Sequence, residues 1–137
     1  MLLVKRGGTA AAAETSIMSE LTSTVKNTAS DLKASGQLPV TVVGAELNGQ
    51  TVIGTSGAPP TIVAPQLEPV VSELGGLGTK TASGNTVGCC AEFRLGNQLL
   101  LDNPLSAPRE VNFTDAIRPR TGQTVPMCDN CKQAFEK

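Results

Sequence analysis

Apolar residues at Ile17, Leu21, Val25, Ala29 and Leu32 recur every three or four positions, the spacing of one helix face. They predict a helix over about 14–34, with Thr15 or Ser16 as its cap and Gly36 and Pro39 as its stop. The period then shortens. Val40 and Val42 alternate with polar neighbours between Pro39 and Leu47, Asn48-Gly49 supplies a hairpin turn, and Gln50–Thr55 follows as a second strand. Ser56-Gly57-Ala58-Pro59-Pro60 ends that strand. Leu67, Val70, Val71 and Leu74 restore the helical period over 66–74, where Pro69 fits only in the first turn and Gly75-Gly76 closes the element.

Asn85-Thr86-Val87-Gly88 leads into a further helix, Cys89 to about Leu101, stopped before Pro104. Val111, Phe113 and Ile117 share one face of a third strand that Asp115 interrupts, and Cys128–Phe135 reads as a final short helix. The order β-β-α-α-β-α after an N-terminal helix implies an α/β fold layered around a small sheet. It divides the chain into an N-terminal helical or linker segment, 1–38, and a domain over 39–137.

Composition narrows the chemistry. The chain has 137 residues, enough for one compact core. No apolar run approaches the ~20 residues of a membrane-spanning helix, and Met1–Gly8 lacks the pattern of a secretory signal. Eleven basic and twelve acidic residues give a formal net charge of −1, without the basic excess of a dedicated nucleic-acid binder. The aromatic residues are three phenylalanines, too few for an extended groove of stacked bases but compatible with a pocket for one. Phe93 or Phe113 could wall such a pocket, or both could be core. There is no histidine, so a Ser-His-Asp triad, a Cys-His dyad and a His-ligated metal are all excluded.

What remains is sulfur. Cys128 and Cys131, three apart, project from one face of the last helix near its N-terminus, where the helix dipole favours thiolate. Cys90 holds a like position on the earlier helix. Three thiolates can hold a zinc ion and leave its fourth position open, the mark of catalytic rather than structural sites. Glu92, two residues beyond Cys90, points elsewhere than the thiolate and can handle protons for a water activated there. Cys89 would set the carboxylate in a different register, so it reads as a small buried residue or half of a disulfide. A zinc-ribbon-like knot or a redox pair is the alternative for the C-x-x-C segment.

The segments Gly88-Cys-Cys-Ala-Glu-Phe-Arg, Val111-Asn-Phe-Thr-Asp-Ala-Ile-Arg-Pro-Arg and Pro126-Met-Cys-Asp-Asn-Cys resemble the cytidine-deaminase-like superfamily. Within it the chain from Pro39 onward looks most like the YwqJ-like deaminase modules of bacterial polymorphic toxins. The resemblance implies a three-layer fold, a small mixed sheet flanked by helices, shortened at the C-terminus because the chain ends six residues after Cys131. It also implies zinc on Cys90, Cys128 and Cys131, Glu92 as proton shuttle, and the backbone N–H of Ala91 on the base carbonyl. Met127 stands between Pro126 and Cys128, where the family usually joins proline directly to cysteine.

The function implied is zinc-dependent hydrolytic deamination of a nucleobase, cytosine to uracil in nucleic acid, with single-stranded DNA favoured over RNA. Such a module would be delivered or secreted as a toxin, act in the target-cell cytoplasm, and be met by a cognate immunity protein. Deamination of free nucleosides or nucleotides is one alternative; a non-catalytic, zinc-stabilised binding module is another. Ser56, where this fold tends to offer a polar group to substrate, is either a contact or a turn hydroxyl capping its own loop. Arg118 and Arg120 either hold phosphates or are a solvated loop pair.

Overall fold

The turn at Asn48-Gly49 sets the register of the sheet. Both residues have positive φ, 53° and 87°, as a two-residue type I′ hairpin requires. The computed structural model describes residues 9–135, with side chains from Ser16 onward. Met1–Gly8 of the N-terminal segment, and Glu136 and Lys137, lie outside the described residues. The hairpin joins β1 (Val42–Leu47) to β2 (Gln50–Thr55), antiparallel from Leu47 opposite Gln50 to Val42 opposite Thr55.

All six residues of β1 are buried, because helices cover both of its faces. The first helix, α1 (Thr9–Ala34), packs Leu21, Val25 and Ala29 inward. It crosses at Gly44, where a Cβ would collide with Leu21, and Val42 joins the same cluster. Val43, Ala45 and Leu47 point the other way, into the main core with Phe93, Leu95 and Leu99 of α3 (Ala91–Asp102). Two departures from the sequence pattern follow. Helix α1 begins at Thr9 and runs through Thr15 and Ser16, so neither caps it, and Val40 lies outside β1, 64% exposed.

The third strand is broken as expected, and the structure supplies the reason. Its halves, β3 (Asn112–Phe113) and β4 (Ala116–Ile117), place Phe113 opposite Ala45 and Ile117 opposite Val42. One more residue lies on their side than on β1, which makes a β-bulge at Thr114-Asp115. Thr114 repairs the ladder: its N–H donates to the Gly44 carbonyl (2.9 Å) and its hydroxyl accepts from the Gly44 N–H (3.0 Å). Strand β5 (Thr124–Val125) then pairs with β4, giving the order β2-β1-β4-β5 with β3 also beside β1.

Every pairing among the described strands is antiparallel, so the mixed sheet expected from sequence is not what forms. The connection through α2 (Glu68–Glu73) and α3 does return the chain parallel to β2. It lands on the far side of β1, however, and β1 separates the two parallel strands. The result is a mixed α/β architecture: a small open antiparallel sheet between helices.

Pro69 sits in the first turn of α2, where its missing N–H is harmless. The Gln66 carboxamide donates to the carbonyls of Leu100, Asn103 and Ser106, satisfying the C-terminal end of α3. The last helix, α4 (Asp129–Phe135), is pinned by Phe135, whose ring lies edge-on to Phe113 (centroids 5.0 Å apart) and to Phe93 (6.5 Å). Gly96 of α3 makes room for that ring; a Cβ there would strike it. The chain's three aromatic residues thus form one cluster that fixes α4 against α3. No described helix is long and apolar enough to cross a membrane.

Candidate metal centre and its cavity

Helices α3 and α4 present their N-termini to each other, and the residue before each is a cysteine. Cys90 is the N-cap of α3, extended at φ −67°, ψ 147°, and its carbonyl accepts the Arg94 N–H (3.1 Å). Gly88, at φ 91°, makes the turn that delivers it. Cys128 stands just ahead of α4 and its carbonyl accepts the Lys132 N–H (2.9 Å), the first bond of that helix. It is therefore a cap, and not the first-turn residue that the sequence pattern predicts, because the helix begins at Asp129. Cys131 is buried in the first turn of α4.

The three sulfur atoms lie within 4.8 Å of one another, with Cys90 Sγ and Cys128 Sγ 2.9 Å apart. Such a cluster can hold a metal ion, and an all-thiolate donor set suits zinc among the common divalent ions. Its electrostatics are ordered as well. Cys128 is held well below the usual thiol range, first by the hydrogen bond from Cys131, then by that from Cys90, and also by the backbone N–H groups of Cys131 and Asn130. Those amides are two of the donors a helix start leaves open. Cys90 and Cys131 are pushed up, each chiefly by its hydrogen bond with Cys128. The cluster thus favours its negative charge on Cys128, with Cys90 and Cys131 held toward the thiol form.

Glu92, in the first turn of α3, is 6% exposed. Burial raises its carboxyl above the ordinary value of 4.5; its own backbone N–H opposes that shift, and the neighbouring Cys128 adds to it. Glu92, Cys90 and Cys128 all line one cavity of about 230 Å³. Ser56 and Cys89 also line it, while Val40, Ala116, Val125 and Pro126 make its apolar wall. Ala91, the first residue of α3, is fully buried next to Cys90 of the sulfur cluster.

Of the residues singled out from sequence, the fold brings together Cys90, Cys128, Cys131, Glu92, Ala91 and Ser56. The Ser56 hydroxyl accepts from the Thr41 N–H (3.4 Å). Arg118 and Arg120 are exposed on the turn between β4 and β5, and neither lines the cavity. Phe93 and Phe113 are absent from its wall as well, being committed to the cluster around Phe135. Cys89 is half-buried and stands outside the sulfur cluster.

Sequence reasoning missed Asn130. Buried between the paired cysteines, its side chain accepts from the Thr81 hydroxyl (2.9 Å) and donates to the Asn85 carbonyl (3.3 Å). It thereby ties the start of α4 to the loop that supplies Gly84, Asn85 and Thr86 to the cavity. The spacing of C-x-x-C carries no signal for such a role; only the fold brings residues 81–85 alongside. Compared with protein-family models, curated proteins and solved structures, the chain matches none.

Proposed function

We propose that this chain is a zinc-dependent hydrolytic deaminase of a nucleobase, converting cytosine to uracil in nucleic acid, with single-stranded DNA the favoured form. One observation carries the reading: three clustered thiols at two converging helix N-termini share a cavity wall with a buried carboxyl of raised pKa. Cys90, Cys128 and Cys131 would hold zinc. When bound, zinc supplies the Lewis acidity that makes water nucleophilic near neutral pH.

The remaining roles fall to the chain itself. Net hydrolysis forms a bond from the ring carbon to water oxygen, breaks the bond to the exocyclic amine, and releases ammonia. The Glu92 carboxyl would accept a proton from the water and return protons to the ring nitrogen and the departing amine; a raised pKa suits a group that must do both. The Ala91 N–H, at the first position of α3, is among those a helix leaves unsatisfied and would donate to the ring carbonyl. The Ser56 hydroxyl would contact the base or sugar. The cavity is lined without Lys or Arg, which favours an uncharged heterocycle inside and its phosphates outside. A base in duplex would have to be flipped out, so a single strand is the easier substrate. Uracil introduced into cellular DNA would inhibit growth, and a toxin role belongs to the proposal on that ground.

Sequencing DNA and RNA from cells expressing the parent or Glu92→Ala tests the reading. C-to-T changes restricted to the parent are expected. Equal growth inhibition by both, with unchanged sequence, would replace the enzyme by a zinc-stabilised binding module.

A further inference from the structure

We propose that the outer edge of β2 is a docking site for an extended strand of a partner protein, which adds to the sheet beside Thr51 and Ile53. The site is separate from the metal centre and independent of the deaminase reading.

The first ground is the edge itself. Strand β2 ends the sheet order, and its six residues run in unbroken register with β1. Sheets commonly protect such edges with a charge, a proline, a bulge or a very short strand. Gln50-Thr51-Val52-Ile53-Gly54-Thr55 carries none of these. At the opposite edge β5 has only two residues. Because the hairpin closes at Leu47–Gln50, the bonded pairs alternate from there, and the backbone groups of Thr51, Ile53 and Thr55 face outward. Arg94 confirms the phase, since its guanidinium donates to the outward carbonyl of Thr55. Thr51 and Ile53 are left for a further strand.

The second ground is a groove on each side of that edge. On the α1 side, about 500 Å³ is bordered by Ile17, Leu21 and Ile53. On the α3 side, about 650 Å³ is bordered by Ile53, Leu95, Leu101 and Ile62, the last two 40% and 66% exposed. Side chains of an added strand alternate between the two faces of a sheet, so successive residues would enter successive grooves.

Charge selects the occupant. Arg94 is the cation of the α3-side groove, and no carboxylate pairs with it among the described residues. Glu20 lies on the α1-side groove, likewise without an ion pair among them. The complementary strand therefore carries apolar residues, with an acidic side chain toward Arg94 and a basic one on the opposite face.

The test selects binders to the zinc-loaded full chain from a phage-displayed library of short random peptides. Enriched peptides are expected to alternate apolar and polar positions, with Asp or Glu at a fixed place. A synthetic copy should slow amide exchange at Thr51 and Ile53 and leave the metal cavity unaffected. Arg94→Glu should shift the selection to Lys or Arg. Thr51→Pro, which removes one outward N–H, should weaken the peptide about tenfold, one hydrogen bond's worth, with zinc content and melting temperature unchanged. No enrichment, or binders that protect other surfaces, would overturn the proposal. So would a concentration-dependent dimer of the chain protecting the same amides, since the occupant would then be a second copy.

Discussion

Cys90 Sγ and Cys128 Sγ lie 2.9 Å apart although 38 residues separate them, each capping the N-terminus of a different helix. A metal bound between them ties α3 to α4, so metal and fold are expected to stabilise each other.

Zinc uptake at neutral pH should release protons, fewer than three per ion, because Cys128 is held below the usual thiol range while Cys90 and Cys131 are held above it. Calorimetry of zinc binding in buffers of different ionisation enthalpy measures that number. Serine at position 90, 128 or 131 should abolish tight one-to-one binding, whereas Cys89→Ser should retain it, since Cys89 stands outside the cluster.

Asn130→Ala should weaken zinc binding by about tenfold, the scale of lost support behind a ligand, because residues 81–85 lose their tie to α4. Competition with a chelator of known affinity measures the loss.

Phe135→Ala should destabilise the protein by about 3 kcal/mol, as large-to-small changes in a packed core do. Zinc should stabilise this variant with the logarithm of its free concentration above the Kd, since the ring holds the same helix that carries Cys131. Gly96→Val should be similarly damaging, by collision rather than by a void. Denaturant unfolding with and without zinc separates these effects.

Glu92→Gln should raise the melting temperature of the zinc-free protein at pH 8. In the parent the folded-state carboxyl titrates above its ordinary value of 4.5, so the native state binds more protons than the unfolded chain between the two values. Stability then falls as pH rises through that window and stays low above it. The advantage of the Glu92→Gln variant should be fullest above the raised pKa and vanish below pH 4.5. Thermal melts across pH read it directly.

The parts of the fold legible in the sequence were those with local causes. Asn48-Gly49 specifies its hairpin through the φ values it tolerates, and Gly75-Gly76 ends its helix for the same kind of reason. Asp115 was visible as an interruption, but the repair by Thr114 depends on Gly44, seventy residues away. The sheet's antiparallel character was hidden because it depends on which side of β1 the returning strand takes. Cys90, Cys128, Cys131 and Glu92 stood out by residue type and spacing. Asn130 did not, since its partners come from a loop without a pattern of its own. The pattern favoured core over pocket for Phe93 and Phe113, and the ring of Phe135 claims both.

The most direct measurement is mass spectrometry of a single-stranded oligonucleotide, containing cytosine and adenine, after incubation with the purified zinc-loaded chain. The parent is expected to convert cytosine to uracil and release an equal amount of ammonia. Glu92→Gln should hold the same zinc and react at least about a hundredfold more slowly. Absence of base conversion by the zinc-loaded parent, or equal conversion by both proteins, would contradict the account.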